Sequence, residues 1–474
     1  MNKETLRKIY IAVFAVFVGL LTAFYFLAGD QLKYRDSRSN INISDANSAS
    51  SELTRGAEIN QYFVNRIDRI KRIELECTTY YRENDGYVYI YLFDNDELLA
   101  KTVLKASRIK EGDKLVLESD DYIEDRVGHQ LRLYITGTSS EGHGISLLTQ
   151  TEYESNELYY KDGNYYGAGT ICFSVSGEEY IFTGQHYWQV ASLISAGLGL
   201  ILLFSYYKYV NKGFSYIVSV ILAIKRYAFL ISQLVSRDFK TKYKRSVLGV
   251  FWSFLNPLLT MSVQYVVFST LFRNDIQNYA VYLLAGIVSY SFFNEVTTMC
   301  LQSISGNANL IKKVYIPKYI FPLSRTISSM VNLFISLIPL ILIMFVSGLT
   351  LHKSFILMFF FLMCLVVFSL GIGMILSALM VFFRDIQFLW SVIVMVWQYA
   401  TPIFYSPNII PPKFSFILTF NPIFQFIKNI RICIMDGISP EPRAYAYCFL
   451  CAVGCLLVGS FVFKKTQDKF TLYL

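Results

Sequence analysis

The sequence predicts a chain of mixed class: an all-β sandwich held outside a membrane by an N-terminal anchor, then an α-helical polytopic membrane domain, with eight transmembrane helices in total. Three observations lead there. Hydrophobic residues make up 54% of the 474 and charged residues only 16%, a balance more apolar than that of soluble domains. Charge is divided along the chain: residues 30–188 hold 17 Lys/Arg and 27 Asp/Glu, net −10, and the remainder holds 26 against 8, net +18. The hydrophobic pattern also changes, from runs of membrane length to alternation and back. An acidic segment and basic-flanked apolar runs belong on opposite sides of a membrane. Because the basic residues border spans and form no single soluble patch, the pattern speaks against nucleic acid as a partner.

Residues 1–29 form the anchor, in which Lys3, Arg7 and Lys8 precede the apolar run Ile9 to Ala28, as in an inside-to-outside signal anchor. A cleaved signal peptide is the competing reading, although no small-x-small site stands near Gly29. Residues 30–58 are polar, rich in Ser and Asn and aperiodic, and read as a tether. From 59 to 188 the period is two. Runs such as RIKRIELECTTY, GYVYIYLF and QLRLYITGT are separated by turn signals at Asn84-Asp85-Gly86, Glu111-Gly112-Asp113 and Asp162-Gly163-Asn164, the pattern of a β-sandwich. In one run Val88, Ile90 and Leu92 alternate with Tyr87, Tyr89 and Tyr91, giving an aliphatic and an aromatic face.

Residues 189–207 make the second span, and residues 208–246 a cytoplasmic linker with an amphipathic interface helix. Gly213 to Ile224 is apolar but short, and is expected to dip into the interface. The helix that follows carries Tyr227, Leu230, Ile231, Leu234, Val235 and Phe239 on one side and Arg226, Gln233, Arg237, Lys240 and Lys244 on the other. It runs with no real loop into a span starting at Val247, where Gly249 beside Trp252 suggests close packing. Further spans are expected at 279–301, 320–346, 354–383, 388–401 and 445–463. Lysine and arginine density places both termini in the cytoplasm and residues 30–188 outside.

No Gly-Lys dipeptide occurs, so no GxxxxGKS or GxxxxGKT phosphate loop exists, nor any GxSxG or HExxH; the chain is not itself an enzyme or an ATPase. No metal is expected: Asp120, Asp121, Glu124 and Asp125 lack EF-hand spacing, and His129 and His143 lack a ligand pattern. Cys77 and Cys172, the cysteines of the outer segment, either bridge its first and last strands or stay free. Glu295, the lone acid well inside a span, has a functional role or an ion-pair partner such as Arg325. Asp385 is placed to cap the helix after it, and Arg384 to reach lipid phosphates. Pro402, Pro407, Pro411, Pro412 and Pro422 interrupt apolar sequence, and helices broken within a membrane need burial in protein or a cavity.

Four motifs then fall in order: VLGVFWSFLNPLL with Leu248, Gly249, Trp252 and Pro257; LIKKVYIPKYIFPLSR with Lys312, Pro317 and Pro322; FFRDIQFLW with Arg384 and Asp385; and ATPIFYSP followed by FNPIFQFIKNIR. From about Arg226 onward the chain resembles the permease subunit of type-2 ABC transporters that export bacterial polysaccharides such as O-antigen, capsule and teichoic acid. The resemblance implies a six-span permease over 247–474 in the bacterial plasma membrane, working as a homodimer with two separate ABC ATP-binding subunits on a lipid-linked polysaccharide. ATP and magnesium would belong to those subunits, and no cofactor to this chain. It also implies that Arg237, Lys240, Asn309, Leu310, Ile311 and Lys312 meet the ATPase, and that the proline-broken segment gates the outer mouth. An aromatic path is drawn from Trp252, Tyr265, Phe292, Phe293, Trp390, Trp397, Tyr399, Phe404 and Tyr405, with Glu295 beside it; helix packing or lipid contact is the alternative for each.

Residues 72–94 resemble the jelly-roll modules that accompany bacterial cell-surface glycan enzymes and exporters. That resemblance implies carbohydrate binding by exposed tyrosines, with Tyr80, Tyr81, Tyr159, Tyr160, Tyr165 and Tyr166 as candidates; simple packing of the two sheets is the alternative. A permease for another amphiphile, such as a lipid, drug or peptide, and a membrane-anchored glycan sensor or scaffold remain the other functional readings.

Overall fold

The computed structural model describes residues 3–41, 46–150, 159–162, 164–165, 169–212, 216–244, 246–271, 276–314 and 316–473. They divide into two compact units, Lys33–Gln185 and the combination of Met1–Leu32 with His186–Leu474.

The first unit is a β-sandwich. Its strands are β1 (Tyr34–Ile41), β2 (Ser48–Ala49), β3 (Glu58–Val64), β4 (Arg69–Thr78), β5 (Tyr87–Asp94), β6 (Glu97–Lys105), β7 (Lys114–Ile123), β8 (Gln130–Gly137), β9 (Ser146–Gln150), β10 (Tyr159–Lys161), β11 (Asn164–Tyr165), β12 (Thr170–Ile171) and β13 (Phe173–Tyr180). One sheet runs β11-β10-β3-β8-β5-β6. The other runs β1-β13-β4-β9-β12, with β7 also on β4 and β2 on β9. Alternation decides which face turns inward. Ile90 lies opposite Ile135 and Leu92 opposite Leu133, and all four are fully buried, while Tyr91 meets Tyr134 on the outer face at 5.9 Å between ring centroids. From the second sheet Ile73, Leu75, Leu117 and Val175 point to the same core, and Phe173 reaches across to Phe63 at 5.2 Å, edge to face. At about 1.5–3 kcal/mol for each fully buried aliphatic or aromatic side chain, this core is what opposes chain entropy.

Of the stretch expected as a polar tether, residues 30–58, the described residues from Lys33 on belong instead to the sandwich. β1 pairs with β13 over eight residues, Tyr34 opposite Tyr180 through Ile41 opposite Phe173, and Leu53 is wholly buried. The strand is polar because it is an edge strand whose side chains make their own bonds: Arg35 to Glu179 at 2.7 Å, Ser37 to Glu179 at 2.6 Å and Arg38 to Glu74 at 2.9 Å. Charged edges of this kind also block pairing with other chains. Cys77 and Cys172 are both buried, and no disulfide joins them.

The second unit is helical: α1 (Lys3–Ala28), α2 (Tyr187–Lys212), α3 (Tyr216–Tyr243), α4 (Trp252–Leu271), α5 (Tyr279–Leu301), α6 (Ala308–Lys313), α7 (Ile320–Val346), α8 (Met358–Phe382), α9 (Ile386–Ala400), α10 (Ser415–Phe420), α11 (Pro422–Arg431) and α12 (Pro442–Thr466). Seven stretches among the described residues, built on α1, α2, α4, α5, α7, α8 and α12, are long and apolar enough to cross a membrane. The eighth expected span, 388–401, is the 15-residue helix α9. At 1.5 Å per residue it is about 22 Å long, less than the roughly 30 Å hydrocarbon layer, so the irregular chain after it has to complete any crossing. α5 is the most enclosed helix, with every residue from Val281 to Tyr290 buried. α8 and α12 approach so closely that a Cβ on Gly459 would lie 2.3 Å from the Gly371 carbonyl oxygen, the small-residue contact that membrane helices use in place of a hydrophobic drive. α1 packs on α2 through Tyr10 to Ser205 at 2.7 Å and Tyr187 to the Leu21 carbonyl at 2.6 Å.

Three local expectations change. The apolar dodecamer up to Ile224 is no separate dip, since its described part, from Tyr216, begins the 28-residue helix α3. α3 does not run straight into the next span: it ends at Tyr243, and Gly249 takes φ 52 in a 3-10 turn before Trp252. Nothing lies within 4 Å of a Cβ on Gly249, so its role is the left-handed turn and not close packing. Asp385 makes no side-chain cap; its backbone carbonyl accepts from the Phe388 and Leu389 amides at 3.0 and 3.3 Å.

The sandwich should be acid-sensitive. Hydrogen bonds from Arg82 to Glu52, from Thr79 to Glu111, and from Ser37 and then Arg35 to Glu179 hold these carboxyls below the ordinary glutamate range. A group more acidic folded than unfolded stabilises fully above its unfolded pKa, and that contribution is lost as pH falls through the folded value. Thermal unfolding of the full chain, read through its β-sheet circular dichroism, is therefore expected to be level near neutrality and to weaken below roughly pH 4.3. Glu52→Gln/Glu111→Gln should flatten that acid limb; an identical limb would remove these two groups from it.

Candidate coupling and gating sites

α5 links two polar clusters, one near each of its ends. At its C-terminal end α3 lies on the bundle through Ile231 and Leu234, which share a cluster with Ile304, Ile311, Ile316, Ile320, Phe321, Phe463 and Phe470. Next to this apolar contact stands a buried acid that sequence reasoning did not single out. Asp238 has a side chain only 4% exposed and pairs with Arg325 of α7 at 2.8 Å and with Arg237 at 3.1 Å. Arg237 also donates to Asn307 Oδ1 at 3.0 Å, tying α3 to the turn before α6. One turn further, Lys242 Nζ lies 2.9 Å from Glu295 of α5, and Asn332 of α7 donates to the same carboxylate at 2.6 Å. Tyr243, Ser253 and the Asn332 amide oxygen complete the cluster. The partner of Glu295 is thus Lys242, and the expected Arg325 is engaged by Asp238.

Of the expected coupling residues, Arg237 is therefore half occupied with holding the fold, Ile311 is buried and Leu310 packs against the same cluster. Lys240, Asn309 and Lys312 are exposed on the surface. The six-residue helix α6 is short enough that its position depends on Ile311 and on Asn307 Nδ2, which donates to the Ser303 carbonyl at 2.7 Å.

At the N-terminal end of α5 the chain leaves α-helical geometry after Ala400 and regains it at α10, with two 3-10 turns between. Its freed carbonyls are satisfied by three side chains, Arg431, Tyr279 and Tyr282, the last also donating to the Pro402 carbonyl at 3.2 Å. Arg431, 6% exposed at the end of α11, donates Nε to the Tyr282 carbonyl at 3.1 Å, Nη1 to Pro402 at 2.7 Å and Nη2 to Ile403 at 3.0 Å. Its guanidinium also lies 3.3 Å from the centroid of the Tyr282 ring, a contact worth about 2 kcal/mol or more when desolvated. Tyr279 donates to the Phe404 carbonyl at 2.6 Å and Tyr282 to that of Tyr405 at 2.8 Å. Asn421 caps α11 at the Phe424 amide, donates to Thr401 Oγ1 at 2.9 Å and accepts from Trp397 Nε1 at 2.9 Å. Arg431 had a usable signal, a cation ending a largely apolar stretch.

The expected path residues separate by burial. Phe293 is wholly enclosed by Trp390, Trp397 and Phe368, and Phe292, Trp390 and Phe404 are buried in packing. Trp252, Tyr265 and Tyr399 are exposed, Trp397 and Tyr405 half-buried. Among the sandwich tyrosines, Tyr80 and Tyr81 are adjacent residues with φ 55 and 56, a costly conformation for bulky side chains. It is held by Glu111, which accepts from the Thr79 amide and hydroxyl, both at 2.7 Å, and it leaves Tyr81 90% exposed. Tyr160 sits opposite Tyr165 in the β10–β11 pair and meets Tyr62 at 5.8 Å, with Tyr159 beside it in β10; Tyr166 lies outside the described residues. The tyrosines thus fall into two groups, on the loop after β4 and on the edge of the other sheet.

Apolar spans, a charged interface helix at one end and a proline-broken segment pinned at the other describe a multi-pass membrane transport subunit. The chain belongs to the ABC-2 type transporter family, which matches residues 230–435. It is 33% identical over 243 residues to the O-antigen export system permease protein RfbA of Klebsiella pneumoniae, covering 51% of this chain and 93% of that relative. Identity is 27% over 248 residues to the RfbA protein of Myxococcus xanthus, covering 52% and 95%. It is 19% over 241 residues to the polysialic acid transport protein KpsM of Escherichia coli, covering 50% and 93%.

Two variants test the clusters. Arg431→Met leaves the Ile403 carbonyl without its donor and the Pro402 carbonyl with only the Tyr282 hydroxyl, and at about 1–3 kcal/mol for a buried unsatisfied group the thermal midpoint of the chain in lipid should fall by several degrees; an unchanged midpoint would remove the pin. Asp238→Asn strands Arg325 and should cost about 3 kcal/mol, whereas Asp238→Asn/Arg325→Gln should cost less than the two single changes added together. Strict additivity would show that the pair is uncoupled.

Proposed function

We propose that this chain is the membrane subunit of an ATP-driven exporter that moves a lipid-linked or cell-wall polysaccharide outward across the bacterial plasma membrane. The observation that carries the reading is the similarity to O-antigen export permeases over nearly their whole length. In this reading two copies form the pore and two separate ABC ATP-binding subunits hydrolyse ATP with magnesium. Those subunits dock on the exposed Lys240, Asn309 and Lys312 surface, and the ion pairs of Asp238 and Glu295 pass their motion to α5 and α7. The segment pinned by Arg431 is the gate, and the exposed Trp252, Tyr265 and Tyr399 face the passing chain. The sandwich, flanked in sequence by α1 and α2, lies outside the cell with both chain termini inside, and holds the exported glycan. Export of another amphiphile by the same architecture is the second reading.

Loss of the chain should deplete surface polysaccharide while its lipid-linked precursor accumulates inside; an unchanged surface would end the export reading. Lys240→Glu/Lys312→Glu alters exposed charges that make no hydrogen bond or ion pair among the described residues, and should leave the protein in the membrane while reducing export at least tenfold and keeping ATP hydrolysis by the partner. Normal export would remove the docking surface. For topology, Ser48→Cys should react with an impermeant thiol reagent on whole cells and Ser305→Cys should not. The opposite pattern would invert the orientation.

A further inference from the structure

We propose that a hollow on the outward face of the seven-stranded sheet is a binding site for a neutral saccharide unit of the exported polysaccharide. The hollow has a volume of about 330 Å³ and spans β1, β13, β4 and β7, at the small end of the roughly 300–1,000 Å³ typical of ligand pockets. Its floor is one row across four strands, in which Arg38 lies opposite Ser176, Ser176 opposite Arg72, and Arg72 opposite Glu118. Residues directly opposite share a face, so these side chains all point outward together.

Strand irregularity makes the space. Between the pairs Ile70–Ile123 and Arg72–Glu118, β4 contributes the single residue Lys71 whereas β7 contributes Ser119 to Tyr122. On the other side, Ser176 and Gly177 are consecutive but face Arg72 and Ile70, so Lys71 is an extra residue there too. Such a bulge re-aims its side chain, and Lys71 and Arg72 both stay out of the core between buried Ile70 and Ile73. Gly177 permits it: a Cβ there would lie 1.8 Å from the Arg69 carbonyl oxygen. The wall is held in advance by Arg69, whose guanidinium sits 4.1 Å from the Tyr122 ring centroid and pairs with Glu178 and Glu124, while Tyr122 donates to Glu178 at 2.9 Å.

The lining selects the ligand. Arg38, Lys71 and Arg72 face Asp36, Glu118 and Glu178, so the hollow carries no net charge and offers no preference to a polyanion. It presents donors and acceptors side by side, the complement of vicinal hydroxyls, each of which can donate to a carboxylate and accept from a guanidinium. Unused capacity is present. Among the described residues the Asp36 and Glu118 carboxylates have no hydrogen-bond or ion-pair partner, and Arg72 Nε is buried without an acceptor although its Nη2 pairs with Glu74 at 3.0 Å. A saccharide would satisfy all three, through polar contacts distinct from stacking on the exposed tyrosines.

The proposal rests on the export reading, and direct binding keeps the two separable. The full chain is placed in lipid nanodiscs, free of glycoside detergents, and saturation-transfer NMR is run with methyl glycosides of glucose, galactose, mannose and rhamnose, beside sodium glucuronate and glycerol 3-phosphate. At least one neutral glycoside is expected to bind, with affinity at least tenfold weaker in Glu118→Gln, an exposed and unpaired position whose change should spare the fold, and in Arg72→Met, and unchanged in Tyr81→Ala. No binding by any neutral glycoside, preference for the two anions, or binding indifferent to Glu118→Gln would each overturn the site. Neutral binding by a chain whose loss leaves surface polysaccharide intact would overturn the export reading alone.

Discussion

The interaction on which the helical unit most depends is the fork of hydrogen bonds from Arg431 to the carbonyls of Tyr282, Pro402 and Ile403. A chain that stops being helical where it is buried, as at Thr401 to Phe404, exposes carbonyls that no water can satisfy, and each would cost several kcal/mol. The prolines at 402, 407, 411, 412 and 422 lower the number of orphan donors, because proline has no N–H, but leave every carbonyl in need. A planar guanidinium with five donors is the side chain best suited to gather several at once. Its own charge is buried without a carboxylate among the described residues, and is balanced by carbonyl dipoles and the Tyr282 ring. That arrangement holds only while α5, α11 and the segment after α9 stay in register, so any motion of one must carry the others or break the fork.

The opposite end of α5 solves a different problem with the opposite means. Here charges are paired with charges: the buried Asp238 with Arg325, and the half-buried Glu295 with the exposed Lys242. Buried pairs add little net stability compared with an apolar contact, yet removing one member is costly. They specify position. The α3 helix could slide along an apolar groove with small loss if only Ile231 and Leu234 held it, and the two ion pairs, four residues apart along α3, fix both its rotation and its height against α5 and α7. A push on α3 is then transmitted to spanning helices and is not absorbed at the surface.

How much of this was legible in the sequence follows from what each element answers to. β5 was readable because one face is core and the other solvent, so Val88, Ile90 and Leu92 alternate with tyrosines without interruption. The spans were readable because their length is set by the bilayer; α9 misled because its apolar sequence continues past the helix end at Ala400 into buried, non-helical chain. β1 was missed since an edge strand with ion pairs outside, among them Arg35 with Glu179, has no hydrophobic face to alternate. Glu295 was recognised as needing a partner, but Lys242 and Arg325 were equally basic candidates. Only the way α3 crosses α5 and α7 decides between them, and helix periodicity is silent on crossing. Lysine at 428 and arginine at 431 likewise look alike in sequence, whereas Arg431 alone is buried.

The hollow in the sandwich is a case where the signal was present in the spacing. Along β4 the buried residues are Ile70, Ile73, Leu75 and Cys77: one interval of three followed by two of two. A strand with unbroken alternation keeps an interval of two, and a single interval of three inserts one residue that cannot face the core without reversing everything after it. Lys71 and Arg72 fill that interval, so two adjacent cations are forced to the same outer face, where a regular strand would turn one of them inward at prohibitive cost. The glycine opposite the irregularity, Gly177, is the second half of the same signal, since the neighbouring backbone comes too close for any side chain. What spacing could not supply is the third part, the four residues of β7 facing Lys71, because the partner strand lies more than forty residues away and its pairing is a property of the sheet. A local defect that costs sheet hydrogen bonds, and gathers charges of both signs around an open space, is therefore better explained by what it admits than by what it stabilises.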